Sequence, residues 1–261
     1  MEFQADKIDS LVPQWLMTAR KMILESFSQK IEIETKTSRN DLVTGLDRKI
    51  EQFLVRKIQE CFPGSQIVSE ETRPTINEIE EEGLLWIIDP IDGTMNFVKQ
   101  KNDFAIMIGI FRGGKGQRGF IYDVMADRLY HGGPDQGVYC NYQKMKSPPD
   151  VPLVDGLLGV GGVMLINNKY NLQKIALASH GIRIYGSAGI EIIHVLNGQL
   201  IGYLSHLHPW DLAAGKILAE TLGLVVKTID GREVNVLSSI DVLVASKNAQ
   251  KDIIMMAQSH C

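Results

Sequence analysis

The chain has 261 residues, a formal net charge of −4, 44% hydrophobic and 22% charged residues. That length buries a large core, roughly 75% of the unfolded surface, and the acidic balance leaves no basic footprint for nucleic acid. Cys61, Cys140 and Cys261 are odd in number, far apart and outside any CxxC pattern, which points to a reducing compartment without disulfides or structural zinc. The charged start MEFQADKIDS and the lack of an apolar run of ~18 residues lead to the expectation of a soluble cytoplasmic protein with no membrane contact.

Apolar positions from residue 8 to 27 recur at three- and four-residue steps, as in an amphipathic helix. Pro13 lies inside the pattern, so the helix starts near it or kinks there. A second helix is expected over residues 45–61, stopped by Pro63-Gly64, and a short strand over 66–69. The period then changes. Residues 103–112 (DFAIMIGIFR) read as a strand, 113–116 as a turn and 119–125 as a second strand. Shorter strands follow at 129–130 and 138–140, making an antiparallel meander.

The segment KSPPDVP, residues 146–152, carries two adjacent prolines and divides an α+β half, about 1–148, from an α/β half, about 149–261, of one domain. In the second half, strands are expected near 157 and at 183–185, 200–204, 224–228 and 242–245. Helices are expected at 172–180, 188–196, 210–222 and 249–258. Helices and sheets in separate blocks predict layered α+β packing. "RGGKGQRG" from Arg112 lacks the ending of a phosphate-binding P-loop and reads as a hairpin turn; "GVGG", residues 159–162, reads as a bend.

Chemistry concentrates in "LLWIIDPIDGTMNF", residues 84–97, where two carboxylates leave an apolar strand three positions apart. Burying one unpaired carboxylate is costly and two like charges repel, so Asp89 and Asp92 make sense around a cation. Gly93 permits a tight turn, and Thr94 opens a short helix whose first N–H groups suit an anion. Hard carboxylate oxygens beside such a turn describe a Mg²⁺-assisted phosphoryl site. Glu70 and Glu71 end the preceding strand, Asp211 opens the helix of "HPWDLAAG", and Asp47 sits in a capping-box pattern. Each has an ordinary local use; together they form a set of acids at element ends.

"WIIDPIDGTMNF", "SEE", "DLVTGLD" and "PWDLAAG" resemble, in order and spacing, the signature segments of the inositol monophosphatase family, across almost the whole chain. The resemblance implies a layered αβαβα sandwich of the inositol monophosphatase and fructose-1,6-bisphosphatase type, usually homodimeric. It implies two or three Mg²⁺ ions per site: Glu70, Asp89 and the Ile91 carbonyl around the first, Asp89, Asp92 and Asp211 around the second, and Glu70 beside a weaker third. Glu70 and Thr94, with Asp47 behind it, would act in catalysis by in-line attack of a metal-activated water. The Gly93 and Thr94 N–H groups would hold phosphoryl oxygens, and Asp211 would serve the leaving group. Gly186, Ser187 and Ala188, in "RIYGSAG", would contact the alcohol part. Lithium sensitivity is a family trait.

The implied substrate is a small phosphate ester such as inositol monophosphate. Fructose 1,6-bisphosphate, NADP and 3′-phosphoadenosine phosphate are alternatives within the superfamily, and a non-catalytic phospholigand- or protein-binding module is the alternative from another class. Leu204 stands where members favouring inositol phosphate carry an acid that holds sugar hydroxyls, seven residues before Asp211. His206 and His208 flank the same pocket and are candidates to reach a substrate phosphate, as is Lys36 in "KTSR".

Overall fold

The computed structural model describes residues 4–28, 33–35, 42–72 and 80–259. The first half contains α1 (Ala5–Ser26), β1 (Ile33–Thr35), β2 (Leu42–Thr44), α2 (Gly45–Cys61), β3 (Gln66–Ser69), β4 (Leu84–Asp92), α3 (Thr94–Gln100), β5 (Ala105–Arg112), β6 (Lys115–Asp123), β7 (Arg128–Gly133), β8 (Gly137–Cys140) and β9 (Gln143–Lys144). The second contains β10 (Leu157–Val160), α4 (Gly162–Ile166), α5 (Leu172–Ala178), β11 (Gly181–Arg183), α6 (Ala188–Leu196), β12 (Gly202–Leu207), α7 (Pro209–Thr221), β13 (Val225–Thr228), β14 (Ile240–Ala245) and α8 (Lys247–Gln258).

Strands β3 to β9 form a seven-stranded sheet in sequence order, antiparallel except for the parallel β3–β4 pair. A five-stranded mixed sheet has the order β11-β10-β12-β14-β13, and β1 pairs with β2. One face of the large sheet carries α1 and α2: Ile8, Val12, Leu16, Ile50, Leu54 and Ile58 pack with Trp86, Ile88, Ile108 and Phe120. The other face carries α6 and α7, whose Ile192, Val195, Leu212 and Leu218 meet Met107 and Ile121 on one side and Tyr203 and Val244 of the small sheet on the other. Behind the small sheet, Leu172 and Ile175 of α5 pack with Ile253 of α8 against Leu158 and Leu243. Helix, sheet, helix, sheet, helix: the α+β sandwich is the expected one.

Helix α1 runs through Pro13 without interruption. Arg118, wholly covered on β6, ties it to the sheet by bonding Asp9 of α1 and Asp135 of the β7–β8 turn. The close seat of α7 depends on glycine: a Cβ at Gly109 on β5 would stand 2.7 Å from the Ala213 Cβ and 2.9 Å from the Ala214 nitrogen. Small residues on both surfaces bring α7, and Asp211 near its start, down onto the strands.

Several boundaries move. Strand β6 starts at Lys115 rather than 119, because the polar stretch Lys115–Arg118 pairs with β5 through a register shift after Ile110. Strand β12 extends to Leu207 and β11 ends at Arg183. The glycine run expected to be a bend instead leads into helix α4. Lys36 and Cys261 lie outside the described residues; Cys61 and Cys140 are free thiols. Among the described residues, no helix is long and apolar enough to cross a membrane.

Candidate active site

The site forms where β4 leaves the large sheet. Asp89 pairs with Met107 and Asp92 with Ala105, with a register irregularity between them. Three positions along a regular strand reverse the side of the sheet. The extra residue of the bulge restores it, so both carboxylates face the α6–α7 layer. Pro90 lies in the bulge and has no N–H to leave unpaired, while the Ile91 N–H donates to Asp89 Oδ1 at 3.0 Å.

Asp92 is gripped from the second half. The Ala188 N–H donates to its Oδ1 at 3.0 Å, the Gly189 N–H donates to its Oδ2 at 2.7 Å, and the Ser187 hydroxyl donates to Oδ2. Ser187 also caps α6, its Oγ accepting from the Ile190 N–H at 3.2 Å. Ser187 and Ala188, expected on the alcohol side, are therefore engaged with a carboxylate. Gly93 has φ +86°, and a Cβ there would stand 2.8 Å from the Ser187 Cβ, so only glycine lets the turn sit against this arm. Buried Asn96, which the sequence reading passed over, donates to the Tyr185 carbonyl at 2.7 Å and the Asp103 carbonyl at 2.8 Å. It fixes the backbone just ahead of Gly186. Its place inside "DGTMNF" was the available signal.

Asp211 enters from α7. It is the third residue of that helix and accepts from the His208 N–H at 2.8 Å, an ordinary capping bond. Its local role and its convergence on the site coexist. Asp89, Asp92 and Asp211 offer oxygens all within 4.8 Å of one another. Glu70, half-buried at the end of β3, stands outside that tightest group but within electrostatic reach of all three. Asp47, fully buried in the first turn of α2, places Oδ1 3.2 Å from the Thr94 hydroxyl, which also lies 3.1 Å from the Ile91 carbonyl.

Negative charge is concentrated here. Burial, then the Glu70, Asp92, Asp211 and Asp47 charges, hold Asp89 well above the usual carboxylate range. Burial and the Asp92 charge do the same to Asp211. Burial pushes Asp92 up to about 6, although the Ser187, Gly189 and Ala188 bonds oppose it. Buried carboxylates that repel one another are a site for a cation, and all-oxygen donors are the chemistry of Mg²⁺. The residues fit that ion.

A model of the inositol monophosphatase family matches residues 5–260. The chain belongs to that family. It is 38% identical over 254 residues to an inositol-1-monophosphatase of Bacillus subtilis, covering 95% of each protein. Among solved structures, an inositol monophosphatase/NADP phosphatase complexed with Mg²⁺ and phosphate superposes with a TM-score of 0.90 at 31% identity, covering 98% of this chain and 96% of that one. A staphylococcal inositol monophosphatase-1 soaked in LiCl superposes at 0.91 with 30% identity, covering 100% and 97%. Family membership brings Mg²⁺-dependent hydrolysis of phosphate monoesters of small metabolites, and the convergent acids are the matching metal-binding feature.

The family's acidic sugar-hydroxyl position behaves differently here. Leu204 is fully buried, paired between Val160 and Leu243 and packed in the layer behind the small sheet. It faces the core, not a pocket. His208 lies beyond β12 as the cap of α7, with its ring edge-on to His206 at 5.8 Å and stacked on Trp210 at 5.1 Å. Only His206 of the two lies on the strand. Asp241 and Lys169, unremarked in the sequence, join His206: Asp241 lies opposite His206 in the β12–β14 register and bonds both Lys169 and His206.

Proposed function

We propose that the chain is a Mg²⁺-dependent phosphomonoesterase hydrolysing a small phosphorylated metabolite such as inositol monophosphate. The observation that carries this reading is the convergence of Asp89, Asp92 and Asp211 beside Thr94. The Bacillus subtilis relative's name supports inositol 1-phosphate as a substrate. The likeness to an inositol monophosphatase/NADP phosphatase supports a nucleotide ester as the second reading, and buried Leu204 favours keeping it. The LiCl complex supports lithium inhibition. Homodimeric assembly and a cytoplasmic location belong to the same reading.

In this reading Asp89, Asp92, Asp211, Glu70 and the Ile91 carbonyl hold Mg²⁺. When bound, the ion supplies positive charge for phosphoryl oxygens and makes water more acidic at neutral pH. The chain does the rest. The Thr94 hydroxyl orients the attacking water and takes up its proton while passing its own to Asp47 Oδ1. The first turn of α3 leaves the Gly93 and Thr94 N–H groups for the phosphoryl oxygens. The Asn96-anchored backbone at Tyr185–Gly186 presents the alcohol part. Asp211, fixed by His208, stands on the leaving-group side. Catalysis is then mostly positioning and charge neutralisation.

The test is phosphate release with Mg²⁺ from inositol 1-phosphate, fructose 1,6-bisphosphate, NADP, adenosine 3′,5′-bisphosphate and glycerol 2-phosphate, with Asp89→Asn as the blank. Release that disappears in the blank supports the enzyme. No release above the blank, with Mg²⁺ still bound, turns the reading to a binding module.

A further inference from the structure

A cleft of about 490 Å³ opens between α4 and the end of β12. Gly161, Gly162 and Asn167 line one side, and Lys169, Ser205 and His206 the other. Two contacts connect its walls to the active site. The His206 ring touches that of His208, whose N–H bonds Asp211. Gly162 lies against Ile184, three residues ahead of Ser187, which bonds Asp92.

The cleft carries charged groups that the hydrolytic step leaves idle. Asp241, only 11% exposed, accepts from Lys169 Nζ at 2.6 Å, from the Tyr170 hydroxyl at 2.6 Å and from His206 Nδ1 at 2.8 Å. Burial pushes the Asp241 carboxyl up, but the Lys169, Tyr170 and His206 bonds outweigh it and hold it below the usual range. It remains an anion and orients the Lys169 ammonium and the His206 ring, which stay about half exposed at the rim. With Nδ1 bonded to Asp241, His206 has Nε2 left for a ligand. Lys169 and His206 are thus both held at the rim of the cleft, where their nitrogens can meet an anion. The same strand turns Leu204 into the core, so that position offers a ligand's hydroxyls no acceptor.

We infer that this cleft is a subsite for a second anionic group on the alcohol part of the substrate, contacted by Lys169 and His206 and organised by Asp241. The inference rests on the phosphatase reading and narrows it to esters such as sugar bisphosphates and nucleotides with a further phosphate.

Matched esters test it. Fructose 1,6-bisphosphate is compared with fructose 1-phosphate, and adenosine 2′,5′-bisphosphate with adenosine 2′-phosphate, as ratios of kcat/KM. The pairs differ in reach. The expected wild-type ratio is about tenfold in at least one pair, carried by KM. Lys169→Met, His206→Gln and Asp241→Asn should each lower it about fivefold to tenfold, the scale of one charge-assisted contact. Lys174→Met, an exposed lysine on α5 away from the cleft, should leave it unchanged. Calorimetric titration of fructose 1,6-bisphosphate into Asp89→Asn protein, with and without His206→Gln, gives a second reading without turnover; its Kd should rise about fivefold with the second change. Wild-type ratios near one in both pairs, or ratios indifferent to all three substitutions, overturn the subsite while hydrolysis of the monophosphates leaves the phosphatase standing. No hydrolysis of any ester, with His206-dependent binding retained, overturns the phosphatase and keeps the subsite.

Discussion

Asp89 and Asp92 stand three positions apart on β4, yet face Met107 and Ala105, two positions apart on β5. The single extra residue between them turns two carboxylates that a regular strand would separate into a pair on one side. Deleting Ile91 should remove the bulge and leave the two acids two positions apart on a regular strand, still on one side. The expected result is a Mg²⁺-induced rise in Tm that persists while activity falls, because the turn that sets the Ile91 carbonyl 3.1 Å from the Thr94 hydroxyl is rebuilt. Pro90→Ala is the milder counterpart, costing about 0.4–1 kcal/mol through the unfolded chain and keeping Mg²⁺ binding. If the deletion variant folds but gains no stability from Mg²⁺, placing the acids on one side is not enough to form the site.

The same crowding predicts how the metal-free protein responds to pH. Asp89 and Asp211 lie well above their ordinary range, and Asp92 is near 6. Such groups hold protons in the fold that the unfolded chain gives up near pH 4, so metal-free stability falls as pH rises from there. Mg²⁺ replaces those protons, so its effect on Tm should be largest above pH 7 and fade toward pH 5. Asp89→Asn should lie closer to the wild type, or above it, in metal-free Tm at pH 8. A Mg²⁺ increment independent of pH between 5 and 8 would contradict the assignment.

Glu191 offers a second pH test away from the metal. It is buried on α6, accepts the Tyr185 N–H on Oε1 at 2.7 Å and, among the described residues, has no partner on Oε2. Burial, opposed by that bond and aided by the Asp92 charge, pushes its carboxyl up to about 7. Between about pH 4.5 and 7 the folded state keeps a proton the unfolded chain lacks, so stability declines with rising pH, by about 3 kcal/mol across the window. Glu191→Gln should flatten that decline, lying below the wild type at pH 5 and approaching or passing it at pH 8. Parallel Tm profiles would remove Glu191 from the account.

Much of this was legible because it is periodic or costly. The alternating apolar runs of β5 and the three- and four-residue steps of α1 report which faces are buried, and Asp89 and Asp92 are conspicuous because nothing in a buried strand pays for two acids. The expected α6 range, 188–196, coincides with Ala188–Leu196. What was hidden depends on partners distant in sequence. The bulge is a relation between β4 and β5. The inward turn of Leu204 follows from pairing with Val160 and Leu243. Asp241 looks like an ordinary residue near a strand start until the register sets it opposite His206. Helix α4 was lost because two glycines argue against a helix until the second becomes its first residue.

Gly109 makes the link between packing and site testable. Its missing side chain lets Ala213 and Ala214 rest on β5, two and three residues after Asp211. Gly109→Ala places a methyl where backbone already stands, and overpacking of this kind costs about 1–3 kcal/mol. The helix must lift, carrying Asp211 with it. The expected outcome is a lower Tm and a higher Mg²⁺ concentration for half-activation. Gly114→Ala, in the open β5–β6 turn where a Cβ meets nothing within 4 Å, is the control and should leave Mg²⁺ half-activation as it is. Its φ of +74° gives that control a backbone cost of its own, so the comparison rests on Mg²⁺ dependence rather than on Tm alone.

Thr94 separates proton handling from metal holding. Its hydroxyl sits between Asp47 Oδ1 and the Ile91 carbonyl, at 3.2 and 3.1 Å. A hydroxyl that relays a proton is worth roughly 10²–10⁴ in rate. Thr94→Val keeps the shape and removes the hydroxyl; it should lower kcat by about that factor while the Mg²⁺-induced Tm shift persists. Thr94→Ser should recover most of the rate, and Asp47→Asn should fall near Thr94→Val, because the two act in one relay. Additive losses in the Thr94→Val, Asp47→Asn double variant would show independent roles, and full activity in Thr94→Val would move the proton to another group.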